Sequence, residues 1–206
     1  MLRRRGGEYE VVCNGTFLIA GQNEVSSRAL IVAAGPHLPR RPLDVLIGGL
    51  GMGFALDEAL ALPDVRAVTV VEYEPVVVEW YERYFRARAS RGSRDARARI
   101  VADDVHDVLA ASSRAYDLIA LDTDNGPAWL VRDENARLYE DRGLRQAAGA
   151  LRTGGVVVFW APDRETGFER RLAAVFEVVL PVTAADVVDG RTFDYVMYVC
   201  RGGELR

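Results

Sequence analysis

Residues 43–62 read LDVLIGGLGMGFALDEALAL. The stretch begins with an apolar run that is typical of a buried strand, and it ends with Leu and Ala at helical spacing before Pro63. Between the two segments lie Gly49, Gly51 and Gly53. Glycines at a strand-to-helix turn let the backbone approach a ligand closely, and the N-terminus of the following helix adds partial positive charge. The stretch therefore predicts a strand, a ligand-binding loop and a helix in succession.

The alternation of strand and helix continues along the chain after this unit. Helical patterns separate further strand-like runs, and the longest helical pattern covers 134–152. Such alternation implies a parallel sheet with helices on both faces. The fold class we expect is α/β, with a Rossmann-like, doubly wound and mostly parallel sheet of seven strands. Its strands are predicted at 43–49, 67–72, 98–102, 116–122, 156–161, 177–183 and 192–201.

The first forty residues follow a different pattern. The runs EYEVVC (8–13) and TFLIA (16–20) flank Asn14-Gly15, which is the strongest short signal for a β-hairpin. A short helix is predicted at 23–34. We therefore expect two units. Residues 1–40 would form a small N-terminal β-hairpin and a helix, and residues 41–206 would form the Rossmann-like catalytic domain that binds the ligand.

Composition argues against several functional classes. The net charge of −4 gives no electrostatic reason to expect a nucleic-acid partner. All 26 basic residues are Arg, which excludes lysine chemistry. His37 and His106 have no partners at ligand spacing, so no metal site is expected. No apolar run approaches the roughly 18 residues of a membrane span, and no apolar segment follows MLRRRGGEYE. We expect a cytoplasmic protein without a membrane partner.

The spacing of the glycines indicates the kind of ligand. A dinucleotide fingerprint of the form GxGxxG would need glycine at position 54, where the chain has Phe54. The loop instead reads Gly49-x-Gly51-x-Gly53, a looser form associated with ligands of the S-adenosylmethionine type. The alternative is a structural turn without a ligand.

Acids follow the next two strands, where ligands of open α/β sheets bind. Glu72 lies about 20 residues beyond the glycine loop, which suits an acceptor for ribose hydroxyls. Tyr73 can pack on an adenine face, and Glu74 either replaces Glu72 or simply precedes a helix. Asp103 can accept a hydrogen bond from the adenine amine, whereas Asp104 is equally well explained as a helix N-cap. These residues predict an adenosyl site.

The stretch YDLIALDTDNGPAW (116–129) ends a predicted strand on two carboxylates, an amide and a turn. An adenosyl ligand lying across the strand ends would place its sulfonium near Asp122 and Asp124. We expect Asp124 to be the catalytic base, Asn125 to orient the nucleophile, and Asp122 to lie near the ligand's amino group. Trp129 and Tyr139 either line the acceptor pocket or belong to the core.

Several of these segments resemble the spermidine synthase (polyamine aminopropyltransferase) family, a branch of the class I methyltransferase fold. The resemblance implies that Glu72 holds the ribose, that Asp103 reads the adenine, and that an Asp in the DTDNGP run activates an attacking amine. It also implies a homodimer, because hairpins of this family help to build dimers. The segments that carry it are NGTFLIAGQNEVSSRAL, VLIGGLGMG, VVEYEP, VADD and YDLIALDTDNGPA.

The chain departs from the family where a polyamine would bind. Ser27 falls at a functional Tyr, and Arg28 falls at the His or Gln after it. The family's glycine loop usually has an Asp where this chain has Met52. The loss of that acid favours a ligand that retains the methionine carboxylate, which Arg28 would meet. The half of the site that binds the cofactor resembles the family more than the half that binds a polyamine.

These features predict a transferase that uses S-adenosylmethionine. The simplest reading is a methyltransferase that acts on a small-molecule or peptide nucleophile. The first alternative is an aminopropyltransferase that uses decarboxylated S-adenosylmethionine and an altered amine acceptor. The second is a non-catalytic relative of the same fold.

Overall fold

The computed structural model describes residues 1–5, 8–13, 16–20, 24–87, 95–123, 126–127, 130, 132–188 and 191–202. Its N-terminal part is an antiparallel sheet in the order β1-β2-β3. The strands are β1 (Leu2–Arg5), β2 (Glu8–Cys13) and β3 (Thr16–Ala20). The predicted hairpin of β2 and β3 is confirmed, and β1 extends it by one strand. The predicted turn at Asn14-Gly15 lies outside the described residues.

The second sheet has seven strands, as the sequence predicted. They are β4 (Leu43–Gly48), β5 (Val65–Glu72), β6 (Ala98–Ala102), β7 (Tyr116–Leu121), β8 (Leu151–Ala161), β9 (Val178–Val188) and β10 (Arg191–Arg201). Their order across the sheet is β6-β5-β4-β7-β8-β10-β9. The first five strands in this order are parallel, and β10 runs antiparallel to both β8 and β9. The mostly parallel, doubly wound architecture is therefore confirmed.

Seven α-helices accompany these strands in the described part of the chain. They are α1 (Glu24–Ala34), α2 (Phe54–Ala61), α3 (Pro75–Trp80), α4 (Val105–Ala111), α5 (Ala136–Tyr139), α6 (Asp141–Ala150) and α7 (Thr166–Ala173). A π-helical turn, Tyr81–Phe85, continues α3. No helix in the described ranges is both long and apolar enough to cross a membrane.

The sheet separates two apolar cores because successive residues of a strand face opposite sides. In β4, Val45 and Ile47 belong to the core that α1, α2 and the end of α3 cover. Leu46, between them, belongs to the core that α4, α6 and α7 cover. Because α1 packs against β8, β9 and β10, it is part of the first of these two layers. The division of the chain at residue 40 stays a prediction.

The prediction of one long helix at 134–152 is wrong in two respects. The helical path breaks at Glu140, whose φ of −86° and ψ of 162° are extended, so α5 and α6 are separate helices. The two helices approach each other closely at Gly143, where only glycine fits, because a Cβ there would lie 2.0 Å from the carbonyl oxygen of Arg137. The helix also ends earlier than expected, since Leu151 already belongs to β8.

Backbone hydrogen bonds hold the carboxyl ends of four neighbouring strands together. The Gly49 N–H donates to the Val71 carbonyl oxygen at 2.8 Å. The Asp103 N–H donates to the Glu72 carbonyl oxygen at 3.1 Å, and the Asp122 N–H to the Gly48 carbonyl oxygen at 2.9 Å. The predicted site residues Gly49, Glu72, Asp103 and Asp122 therefore share one edge of the sheet.

Candidate active site

The glycine loop between β4 and α2 has a backbone that requires glycine. Gly49, Gly51 and Gly53 have φ values of 94°, 51° and 87°, in the left-handed region. A Cβ on Gly49 would lie 2.4 Å from the carbonyl oxygen of Asp122, and a Cβ on Gly53 would lie 2.4 Å from the ring of Tyr81. The loop is therefore held tightly against the end of β7 and the helix after β5. Gly49 and Gly51 are half-buried and carry no side chain, so their backbone is suited to close contact with a ligand.

Glu72 lies at the end of β5 with its carboxylate directed at this loop. Its side chain is buried, with 8% of the residue exposed. One carboxylate oxygen accepts from the Leu50 N–H at 2.9 Å and the other from the Glu74 N–H at 2.9 Å. Burial raises the pKa of Glu72, and these backbone N–H groups partly oppose that rise. A carboxylate has about four lone-pair sites, so Glu72 retains capacity for ribose hydroxyls.

Asp122 lies immediately after β7, on the side of the sheet that α1 covers. Its carboxylate accepts a hydrogen bond from the hydroxyl of Ser27, which belongs to α1. Burial raises the pKa of Asp122, and the negative charge of Glu72 raises it further, whereas Ser27 lowers it. The two carboxylates thus influence each other across the loop. A carboxylate with a raised pKa is better able to take a proton near neutral pH.

Tyr73, predicted to face adenine, is in contact with an arginine from a distant part of the chain. The guanidinium of Arg132 lies 3.8 Å from the centroid of the Tyr73 ring. Arg132 also donates to the Glu74 carboxylate at 2.9 Å. One face of Tyr73 is therefore covered by Arg132, which leaves only the other face for an adenine ring. No signal in the sequence pointed to this pairing.

Asp103 and Asp104 lie between β6 and α4 and have different surroundings. Asp103 is exposed, and its carboxylate accepts from the Asp104 N–H at 2.8 Å. Asp104 caps α4 by accepting from the His106 N–H at 2.9 Å, as one of the two readings of the sequence predicted. Asp104 also forms an ion pair with Arg137. Of the two acids, Asp103 is the one with an exposed carboxylate for an adenine amine.

The predicted catalytic residues Asp124 and Asn125, together with Trp129, lie outside the described residues, and their roles stay predictions. Tyr139 is 3% exposed and packs against Phe168, with ring centroids 5.7 Å apart. It belongs to the core, which is one of the two readings of the sequence. Its hydroxyl donates to the backbone oxygen of Thr123 and so supports the segment that follows Asp122.

Arg28 lies on α1 among three carboxylates. Its guanidinium contacts Glu24 at 2.7 Å, Glu58 at 3.1 Å and Asp57 at 3.6 Å. Three acids around one cation leave a net negative surrounding, which disfavours a further anion. The geometry therefore argues against the expectation that Arg28 meets a ligand carboxylate.

Residues 24–174 match the spermine/spermidine synthase domain, and this span covers most of the chain. The chain belongs to the spermine/spermidine synthase domain family. The matched span contains the glycine loop, Glu72, Asp103 and Asp122. The resemblance inferred from the sequence is confirmed.

The relatives of this chain include enzymes of two kinds, putrescine N-methyltransferases and polyamine aminopropyltransferases. Putrescine N-methyltransferase 2 of Nicotiana attenuata is 35% identical over 59% of this chain and 32% of the relative. Polyamine aminopropyltransferase 2 of Pseudomonas aeruginosa is 28% identical over 71% of this chain and 41% of the relative. The chain thus spans less than half the length of these curated relatives.

A solved structure of the family has the same fold. Spermidine synthase in complex with the transition state analogue AdoDATO superposes with a TM-score of 0.76. The superposition covers 93% of this chain and 66% of that chain, at 21% sequence identity. This likeness confirms the expected class I methyltransferase type of fold.

Proposed function

We propose that the chain is a methyltransferase that uses S-adenosylmethionine and acts on a small-molecule or peptide nucleophile, an amine in the first instance. The observation that carries this proposal is the pairing of the buried Glu72 carboxylate with the left-handed glycine loop at one edge of the sheet. Asp122 lies at the same edge. The similarity to putrescine N-methyltransferase 2 supports methyl transfer as the reaction.

The residues at this edge fit an adenosyl ligand. Glu72 would hold the ribose hydroxyls, Asp103 would accept from the adenine amine, and the loop from Gly49 to Gly53 would contact the methionine part. Tyr73 would pack on adenine with the face that Arg132 leaves open. S-adenosylmethionine supplies an electrophilic methyl group, whose bond to sulfur breaks as the bond to the nucleophile forms.

The chain's own contribution is alignment, exclusion of water and removal of a proton. An amine that gains a methyl group must lose a proton from nitrogen. Asp124 is the base that the sequence predicts, and Asn125 would orient the nucleophile. Asp122 is a second candidate for the base, because burial raises its pKa. The assignment of the base between Asp122 and Asp124 is part of the proposal.

Aminopropyl transfer from decarboxylated S-adenosylmethionine is the second candidate. The similarity to polyamine aminopropyltransferase 2 favours it, because that similarity extends over a larger share of this chain, 71% against 59%. The proposal also includes a homodimer built with the N-terminal strands and a cytoplasmic location.

Titration calorimetry tests the proposal directly. The chain is titrated with S-adenosylmethionine, with its decarboxylated form and with methylthioadenosine. We expect the tightest binding for S-adenosylmethionine, and a Glu72→Gln variant should bind it at least about tenfold more weakly, in line with the loss of one hydrogen bond to a charged group. Preference for the decarboxylated form would reverse the ranking in favour of aminopropyl transfer. Absence of binding by all three would contradict both enzyme readings.

A further inference from the structure

A cavity lies at the edge of the sheet opposite to the candidate active site. Its volume of about 590 Å³ is within the range of roughly 300–1,000 Å³ that small-molecule sites occupy. It is surrounded by the C-terminal ends of α4 and α6, the first residues of β8, the residue before β9 and the residue after β10. We call it the rear cavity. Its walls include Arg114, Ala148, Leu151, Gly154, Glu177 and Gly202.

Left-handed backbone is concentrated around the rear cavity. Arg114, Gly154 and Gly202 have φ values of 46°, 76° and 77°. In the described chain, the glycine loop of the candidate active site is the other place where three such residues surround one site. Arg114 is the unusual residue, because a Cβ makes this conformation unfavourable. It is held there by its N–H, which donates to the Gly149 carbonyl oxygen of α6 at 2.9 Å. Strained backbone of this kind is found mainly at functional sites.

Three charged side chains line the rear cavity, and one of them is already neutralised. Arg152 donates to the Asp44 carboxylate at 2.6 Å and to the Asp117 carboxylate at 2.7 Å. Arg114 and Glu177 are exposed, and neither forms an ion pair within the described part of the chain. The cavity therefore presents one cation and one anion that are free to bind a ligand.

The surroundings disfavour a ligand that is purely anionic, such as a phosphate. Both α4 and α6 end at the cavity, and the C-terminus of a helix carries partial negative charge. Glu177 adds a full negative charge, and its carboxylate lies against the end of β10. A Cβ on Gly202 would lie 2.7 Å from the Glu177 Oε2. A ligand with a carboxylate beside Arg114 and an ammonium beside Glu177 matches both charges.

We propose that the rear cavity binds a zwitterionic amino acid with an apolar side chain. Arg114 binds the carboxylate, for which a guanidinium offers two parallel N–H donors. Glu177 binds the ammonium, which the two helix ends also favour. Ala148 and Leu151 belong to the core that α4 and α6 cover, and they provide an apolar wall for the side chain. Because this site lies away from the adenosyl ligand, the inference does not depend on the proposed function.

Titration calorimetry of the wild-type chain with L-leucine tests the proposal. Leucinamide lacks the carboxylate and 4-methylpentanoate lacks the ammonium, whereas both retain the side chain. We expect each of these two compounds to bind at least about tenfold more weakly than leucine, in line with the loss of hydrogen bonds to a charged group. Saturation with S-adenosylmethionine should leave the affinity for leucine unchanged, because the two sites lie at opposite edges of the sheet.

Two variants test the residues of the site. Arg114→Asn removes the cation and also relieves strain, because Asn tolerates the left-handed conformation. We expect it to bind leucine at least about tenfold more weakly, with a melting temperature equal to or above that of the wild type. Glu177→Gln should weaken leucine binding similarly without weakening that of 4-methylpentanoate. Arg170→Gln is the control, since Arg170 is exposed on α7 and lies outside the cavity wall.

The outcomes separate this inference from the proposed function. Absence of leucine binding by the wild type, or equal affinity of the wild type and Arg114→Asn, would overturn the inference. Leucinamide that binds as tightly as leucine would do the same. Displacement of leucine by S-adenosylmethionine would also overturn it, because leucine would then occupy the candidate active site. Failure of S-adenosylmethionine to bind would contradict the proposed function and leave the result with leucine as it stands.

Discussion

At the scale of single residues, the carboxylates of the candidate site lower the stability of the fold. Burial raises the pKa of both Glu72 and Asp122 above the ordinary range. The unfolded chain therefore releases these protons at a lower pH than the folded chain does. Between the ordinary and the raised pKa the folded state binds more protons, so the free energy of unfolding falls as pH rises through this interval. Near neutral pH the site holds charges whose burial is unfavourable.

Asp122→Asn tests this relation between stability and function. The amide retains an oxygen that can accept from Ser27, but it carries no charge. We expect the melting temperature at pH 7 to rise by about 2–4 °C, which corresponds to about 1 kcal/mol in a chain of this size. The gain should vanish below about pH 4, where the wild-type carboxyl is protonated, and group transfer should be lost or strongly reduced. Differential scanning calorimetry across pH measures the first effect.

The control for this variant is Glu140→Gln, which changes an exposed carboxyl that makes no capping bond to α6. It should shift the melting temperature by less than about 1 °C at either pH. An Asp122→Asn variant that is less stable than the wild type at pH 7 would show that the charge of Asp122 stabilises the fold.

At the scale of elements, the sequence predicted the central strands well because the apolar runs of β4, β7 and β8 are buried on both sides of the sheet. The sequence also predicted that the glycine loop, Glu72, Asp103 and Asp122 lie at one edge of the sheet, because the carboxyl ends of parallel strands lie together. It did not predict the break at Glu140, which depends on the packing of Gly143 against Arg137.

The sequence also gave no indication of how arginines after β7 reach the neighbouring strand ends. Arg132 contacts Tyr73 and Glu74, and Arg137 contacts Asp104. These pairs are separated by many residues, so local spacing contains no signal for them.

The glycine loop provides a prediction at this scale. Gly53→Ala would place a Cβ 2.4 Å from the buried Tyr81 ring, at a φ of 87°. We expect the strain and the overlap together to lower the free energy of unfolding by about 2–4 kcal/mol and to weaken binding of S-adenosylmethionine. Urea denaturation and calorimetry measure the two effects.

Gly149→Ala is the matched control for this variant. Gly149 lies within α6, and a Cβ there would meet no atom within 4 Å. The change should raise the free energy of unfolding by about 0.5–1 kcal/mol, because alanine is the better helix former. Equal effects of the two substitutions would contradict the role of Tyr81 in holding the loop.

At the scale of the whole molecule, the two edges of the sheet have opposite electrostatic character. At the edge away from the candidate site, Asp117 is fully buried and accepts from Arg41 and Arg152, each at 2.7 Å, and from the Asp44 N–H at 3.0 Å. Burial alone would raise the pKa of Asp117, but these donors hold it below its usual range. Asp44 has a lowered pKa as well, chiefly because of its bond to Arg66. These charges stabilise the fold, whereas those of the candidate site do not.

Asp117→Asn should therefore have the opposite effect to Asp122→Asn. The amide nitrogen cannot accept hydrogen bonds, so the donors at one of the two oxygens of Asp117 lose an acceptor, whereas Arg41 keeps the Thr153 oxygen and Arg152 keeps Asp44. We expect a loss of about 1–3 kcal/mol in the free energy of unfolding at pH 7, measured by urea denaturation. The stability from a lowered pKa is present above the ordinary pKa and is lost as pH falls through the lowered value. The difference between variant and wild type should thus shrink in acid. Asp141→Asn, which removes only an exposed ion pair with Arg145 at 3.4 Å, should show no measurable change. A variant as stable as the wild type at pH 7 would mean that strand packing alone holds this edge together.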